Sequence, residues 1–280
     1  MNCASVGGST PIKDYLWVNL RDLPYFRALL RAVEARFYHW ACSQWACSHY
    51  PLLAPTLDIG CGDGHFASIA FERPLAAGID PWWGSLRQAA RLGSYKLVVQ
   101  GSGSQMPFPD KAFASAISNS VLEHIPNVEA VLSEAARVLQ PGAPFLFCVP
   151  NHTFLSQLSI GQAMDKIGLR LLGDTYRSIF NRISRHIHCD PPEIWRSRLE
   201  RNSFRLERWW HYFSPAALRS LEWGHYFGLP SLVSHALTRR WILVPTCWNL
   251  VLTRRMVERH YLSDPVCEDG VYTFYIARRR

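Results

Sequence analysis

The sequence has no paired-cysteine motif, no leader-like start and no long apolar run, and each absence closes off a class of protein. None of its eight cysteines forms a CxxC pair, so a zinc ribbon or a thioredoxin-type redox pair is excluded. A chain of 280 residues needs no disulfide staples, and free thiols in a reducing cytosol are expected. No basic stretch followed by an apolar run opens the chain, so no secretory leader is expected and the predicted location is cytoplasmic. No apolar stretch reaches the roughly 20 residues of a spanning helix. The closest, 241–252, is short and interrupted by Pro245. Charged residues make up only 19% and hydrophobic ones 48%, the reverse of a disordered composition.

Aromatic residues are plentiful instead, at 13% with 11 Trp, which suits large apolar pockets or a boundary between wet and apolar surroundings. The net charge of +8 is lopsided. Residues 1–150 balance 11 Lys and Arg against 11 Asp and Glu, whereas residues 151–280 hold 19 against 11. Nearly all of that excess is Arg, whose planar fork binds carboxylate and phosphate. Either a solvated basic surface or an anionic partner accounts for it.

Periodicity organises the chain. The start, 1–22, reads as irregular. From 25 to about 50, Phe26, Leu29, Leu30, Val33, Phe37 and Trp40 recur at helical spacing, and Pro51 and Pro55 end the run. Strands are expected at 56–59, 75–79, 96–99, 113–118 and 145–149, with helices at 65–71, 82–92 and 127–139 between them. That alternation predicts a parallel sheet covered on both faces. After Asn151 the rhythm changes. Residues 153–172 and 191–202 read as helices around a polar loop rich in Arg and His. A strand is expected at 204–212, a Ser214-capped helix to Phe227, a helix or broken helix over 236–260, and a last strand at 271–276.

The segment LDIGCGDGHF, 57–66, reads as strand, glycine turn, helix. Such a turn lets a ligand approach the backbone beyond the carboxyl end of the first strand. Its spacing, Gly60, Gly62, Gly64, is GxGxG; the dinucleotide fingerprint needs glycine where this chain has His65. A nucleoside ligand without a pyrophosphate is therefore favoured over a dinucleotide. Asp58 is placed to accept from a ligand ammonium. Asp80, ending the second strand, is placed to accept from both hydroxyls of a ribose, unless it serves as a helix cap.

LDIGCGDG (57–64), GID (78–80), MPFPDKAF (106–113), SVLEHIPN (120–127) and EAARVLQPGAPFLFCVPN (134–151) occur in order, each in its expected strand or loop. Over about 55–150 the chain resembles the small-molecule, type 11 group of class I S-adenosylmethionine-dependent methyltransferases. The resemblance implies an α/β, Rossmann-like fold: a seven-stranded, mostly parallel sheet with helices on both faces and one antiparallel strand, which 271–276 fits. One domain is expected over 1–280: an N-terminal helical segment (1–54), the cofactor core (55–150), a helical lid insertion (151–202), read from the change of rhythm after Asn151, and the rest of the core (203–280). The implied cofactor is S-adenosylmethionine. Asp58, Gly60, Cys61 and Gly62 would approach its methionine part, Asp80 and Pro81 its ribose, and Ser102, Gln105 and Met106 its adenine. Asn119 would lie near the methionine moiety or the reacting sulfonium. The chain departs from the family at Ser102 and Ala114, where Asp is usual.

Methyl transfer to a hydroxyl needs alignment, exclusion of water and removal of a proton, and His is the usual base near neutral pH. His124, after the fourth strand, and His152, after the fifth, are the candidates, on opposite rims of one cleft. A structural role on a loop carbonyl is the other reading of His124. Arg185-His186-Ile187-His188-Cys189-Asp190 is rich in ligand types, but no second Cys/His pair accompanies it, so no metal is expected. Trp209–Phe213 reads as strand core or as an aromatic wall for a bulky substrate. The expected activity is methylation of a small molecule, at oxygen of a bulky or anionic, glycosyl or lipid-linked acceptor. A binding protein that kept the fold without turnover stays open through Ser102 and Ala114. A nucleic-acid enzyme is disfavoured: Asp190-Pro191-Pro192-Glu193 lacks the aromatic residue that flipped-base amine chemistry uses. The segment 239–255, apolar between Arg pairs, is a candidate for peripheral membrane contact or for a core helix.

Overall fold

A computed structural model describes residues 13–43, 52–264 and 266–280. Among them, seven strands form one sheet in the order β3-β2-β1-β4-β5-β7-β6. The strands are β1 (Thr56–Ile59), β2 (Leu75–Asp80), β3 (Tyr95–Gln100), β4 (Ser115–Asn119), β5 (Pro144–Pro150), β6 (Phe204–Tyr212) and β7 (Tyr272–Arg279). β1 to β5 are parallel, and β7 runs antiparallel between β5 and β6. The family's antiparallel strand thus lies where 271–276 was expected. Chain order reverses between β1 and β4, and a crevice opens there beyond the strand ends.

Two apolar cores flank the sheet. On one face α1 (Tyr15–Asp22), α2 (Tyr25–Ser43), α3 (His65–Ala70) and α4 (Trp83–Leu92) pack with α9 (Pro215–Phe227) and α11 (Cys247–Leu262). On the other, α5 (Val128–Val138) and α8 (Pro192–Arg201) pack against Phe145, Phe147 and Tyr275. α5 starts where the Asn127 side chain accepts from Ala130 N. α9 starts where Ser214 accepts from Ala217 N, with Pro215 as its first residue.

Two expectations need correction. The stretch 1–22 is not irregular throughout: Asp14 accepts from Trp17 N at 2.9 Å and caps α1. The run 153–172 is not one helix. It divides into α6 (Ser159–Lys166) and α7 (Arg170–Ser184), parted by Gly168 at φ +82°. Much of the supposed Arg/His loop is therefore helical, because α7 crosses α6 at Gly161 and Gly173 and is tied there by Arg177 to Asp165. The 236–260 region is broken, as α10 (Leu229–Thr238) and α11. The continuation of α2 to about residue 50, the Trp40 side chain and the start of the chain lie outside the described residues.

Candidate cofactor site

β1 is buried along its whole length and delivers the chain into the turn 60–64. The N–H groups of Gly60 and Cys61 both donate to the Ile79 carbonyl, at 2.9 and 3.1 Å, which pins the turn to the end of β2. Gly60 sits at φ +80°, and a Cβ there would lie 2.3 Å from Val121. Only glycine fits that left-handed, crowded position. Gly62, at φ +53°, differs: nothing lies within 4 Å of where its Cβ would be. Its open side faces a cavity of about 550 Å³.

Asp80 closes the turn from β2. Its carboxylate accepts from Gly62 N at 3.1 Å on one oxygen and from Trp82 N at 2.8 Å on the other. Two backbone donors thus fix its plane and leave a lone pair on each oxygen for a ligand diol. Asp58 is 4% exposed and accepts from the Tyr95 hydroxyl at 2.6 Å. Burial pushes its carboxyl up to about 7, and the nearby Asp80 charge adds to this, against the Tyr95 hydrogen bond and the Arg31 charge. Burial, with the Asp58 and Asp80 charges, also raises the Cys61 thiol, so Cys61 is a neutral wall.

The far side of the cavity rests on a carboxylate that the sequence did not single out. Glu34 of α2 is fully buried. It accepts from Arg31 at 3.0 Å, Asn119 at 2.7 Å, Ser120 at 2.8 Å and Tyr212 at 3.1 Å, with the Cys148 thiol at 3.6 Å. One side chain therefore ties the N-terminal helix to β4, β5 and β6. It falls on the same helical stripe as Leu30 and Phe37, and an acid on an apolar stripe is the signal that marks it. Tyr95 carries no comparable mark, since its partner is far away in sequence. Arg27 and Arg31 also line the cavity.

Most of the expected site residues converge here. Asp58, Gly60, Cys61, Gly62, Asp80 and Pro81 line the cavity from one side, and Ser102, Asn119 and His124 complete it. Gln105 and Met106 do not line it. Gln105 is exposed, and Met106 is buried with its N–H donating to Glu134 at 2.8 Å and its carbonyl accepting from Arg137 at 2.9 Å. That pairing turns the Met106 backbone toward α5. The Ser102 hydroxyl lies 2.8 Å from that of Ser104, so it already has a neighbour. Ala114, the other departure, donates its N–H to Pro55 at 2.9 Å at the entry to β4.

The two histidines separate. His124 lines the cavity on the 3-10 turn Leu122–His124. Its Nδ1 donates to the Arg185 carbonyl at 3.0 Å, since a carbonyl only accepts, and the lone pair is left on Nε2. Burial lowers its pKa, so the ring is neutral near pH 7. His152 is exposed and outside the lining, and its ring is 6.4 Å from His211. The cause is Asn151, which donates from its backbone to Val271 at 2.9 Å and from its side chain to Gly270 at 2.8 Å, drawing the turn toward β7. His152 therefore does not share a rim with His124.

The Arg185–Asp190 run folds back onto the 3-10 turn. Ile187 N and His188 N both donate to the Glu123 carbonyl, at 2.7 and 3.1 Å, and Arg198 pairs with Asp190 at 2.7 Å. Glu123, His124 and His186 bring a carboxylate oxygen and two ring nitrogens within 4.8 Å of one another, a group that could hold a metal ion. Burial raises the Glu123 carboxyl to about 8 and lowers His186 to about 3, so a neutral acid facing neutral rings accounts for the same cluster without an ion.

A family profile described as a methyltransferase domain, type 11, matches residues 57–147. This segment is similar to the methyltransferase domains of that family. The match ends inside β5, so the similarity covers the cradle, Asp80 and the 3-10 turn and stops short of the basic half. Curated relatives align over the same stretch. Botryococcene C-methyltransferase of Botryococcus braunii is 37% identical over 97 residues, 32% of this chain and 26% of its own length. Fatty-acid O-methyltransferase of Mycolicibacterium smegmatis is 35% identical over 97 residues, 32% of this chain and 35% of its own. The chain thus spans about a quarter to a third of these relatives. Among solved structures, a SAM-dependent methyltransferase of Thermotoga maritima, a possible histamine N-methyltransferase, superposes with a TM-score of 0.51 at 15% identity. It covers 90% of this chain and 91% of the other. Geranyl diphosphate C-methyltransferase of Streptomyces coelicolor, crystallised with S-adenosyl-L-homocysteine, gives 0.52 at 13% identity over 88% and 77%. At such identities the likeness is one of fold, and it spans most of the chain.

Proposed function

We propose that this chain is an S-adenosylmethionine-dependent methyltransferase acting on a small molecule. The observation that carries the reading is the open side of Gly62, facing the cavity between the carboxylates of Asp58 and Asp80. A side chain at Gly62 would fill that space, and the donor set around it suits a ligand with an ammonium at one end and a diol farther on. When bound, the cofactor supplies a methyl group on a sulfonium. Asp58 receives the ammonium and is ionised by it, Asp80 orients the ribose hydroxyls, and Asn119, held by Glu34, fixes the wall beside the reacting end. His124 lines the cavity, its Nε2 lies 3.6 Å from Glu123 Oε1, and in this reading it serves as the proton acceptor for a hydroxyl. His152 takes no part. Residues 151–202 act as a lid, held to the 3-10 turn through Arg185, Ile187 and His188, and this excludes water from the transfer.

The acceptor in this reading is bulky or anionic, a lipid-linked or glycosyl compound methylated at oxygen. Arg27 and Arg31 at the cavity wall support the anionic character. A second reading, a binding protein without turnover, is favoured only by Ser102, whose neighbour Ser104 takes the place of a ligand contact. Calorimetry with S-adenosylmethionine tests the common part: micromolar binding, weakened by Asp80→Ala, is expected, and no heat at millimolar cofactor sinks it. Release of S-adenosylhomocysteine with hydroxylated lipid acceptors separates the two readings, because the binding protein releases none.

A further inference from the structure

α10 is rich in apolar residues, LPSLVSHALT, yet among its described side chains none is buried. The linker to residue 249 has no fully buried side chain; its Trp241 and Ile242 rest half-buried against the core and the rest is exposed. Leu237 is 80% exposed, Trp248 74% and Leu252 70%, and Leu243 and Met256 are also open. α11 has two faces. Leu250, Val257 and Tyr261 pack inward, while Trp248, Leu252, Arg255, Met256 and Arg259 recur at three- and four-residue spacing on the outside. Single exposed apolar residues are ordinary, but a continuous run of this length marks an interaction surface.

Charge decides what covers it. Between 229 and 262 the cations are Arg239, Arg240, Arg254, Arg255 and Arg259, and the one acid is Glu258. Glu258 is occupied by Arg254 at 2.9 Å, and Arg254 also pairs with Asp14. Arg239, Arg240 and Arg255 are exposed and have no ion pair among the described residues. A two-fold contact with a second copy would set this patch on itself, arginine toward arginine with no free acid. An anionic bilayer satisfies both parts: acyl chains take the leucines and tryptophan, and headgroup phosphates take the guanidinium forks. No helix among the described residues is long and apolar enough to cross a membrane, which leaves lying on it. The face also reaches the cavity entrance, because the Arg27 guanidinium, at the cavity wall, lies 5.4 Å over the Trp241 ring of the linker.

We infer that α10, the linker and α11 form a docking face for an anionic lipid surface, bordering the entrance of the cofactor cavity. The test needs no cofactor and does not depend on the proposed reaction. The full chain is sedimented with vesicles of phosphatidylcholine alone and of phosphatidylcholine and phosphatidylglycerol in equal parts. Partitioning onto the mixed vesicles at least tenfold above the neutral ones is expected, falling with salt. Arg239→Glu with Arg240→Glu should lower it about thirtyfold or more, at roughly fivefold per cation removed. Leu237→Ser with Leu252→Ser should lower it about tenfold, with unchanged thermal melting. If the charge variant fails to fold, the milder Arg239→Gln with Arg240→Gln carries the same expectation. Equal partitioning onto both vesicle types, or none, overturns the inference. So does a dimer in sedimentation equilibrium that Leu252→Ser dissociates, which would assign the face to a second copy.

Discussion

The turn at 60–64 and the helices α10 and α11 treat their exceptional residues in opposite ways. At the turn, polar groups that would ordinarily seek water are buried and matched: Asp58 by Tyr95, Asp80 by two backbone donors, Glu34 by donors from three strands and a helix. On α10 and α11, apolar groups that would ordinarily be buried stand in solvent. Of the large exposed apolar residues among those described, only Leu53, Trp82, Trp83, Leu92 and Leu97 precede residue 151. The first region's geometry is over-determined by its own chain, as a site for one small ligand must be. The second is incomplete by itself, and its chemistry points outward.

Substitutions separate the regions by size of effect. The largest is expected at Glu34→Ala, which leaves Arg31 and several buried donors without their carboxylate. A loss of about 3–5 kcal/mol in stability should appear in urea titrations. A loss under about 1 kcal/mol would mean that the N-terminal helix is not anchored through this residue. Asp80→Ala should come next, weakening cofactor binding about 100-fold, the worth of two hydrogen bonds to a charged group, with melting little changed. Calorimetry reads both.

The third effect is one of pH. Only an ionised Asp58 receives an ammonium, and burial holds its carboxyl near 7 in the free protein. Cofactor affinity should therefore fall about tenfold per pH unit below that value. Asp58→Asn should bind weakly and flatten the profile. Stability of the free protein runs the other way. A carboxyl raised on folding stabilises the fold while protonated, and this contribution is lost as pH rises from about 4 through about 7. A flat affinity profile between pH 6 and 8 would contradict the role given to Asp58. The smallest effect belongs to the outer surface: Leu237→Ser and Trp248→Ser should each change stability by less than about 0.5 kcal/mol. A drop of several kcal/mol would show that these side chains pack after all, and would erase the contrast between the regions.

What could be read from the sequence followed how local each signal was. The strand, glycine turn and Asp80 were legible because strand period, left-handed glycines and a strand-terminal acid all lie within one β-α-β stretch. Glu34 and Tyr95 were not, because their partners are far off along the chain and only the folded sheet brings them together. α7 was obscured by the arginines and polar residues along it, which read as loop, although Leu172, Tyr176, Ile179 and Ile183 recur at helical spacing. Met106 was misplaced for a different reason. It stands in a motif whose sequence position fits the adenine, but Glu134 and Arg137 hold its backbone against α5.

The place of β7 has a consequence for how the molecule is made. β7 lies between β5 and β6, so neither of those strands has its neighbour on that side until residues 272–279 have been synthesised. During translation the apolar strand PFLFCVP waits with an open edge, as does β6 with its tryptophans. Tyr212 can reach Glu34 only once β7 has drawn β6 in. The wall of the cavity is therefore finished only after β7 has been made, and a chain stalled before it carries unpaired edges that invite misassociation.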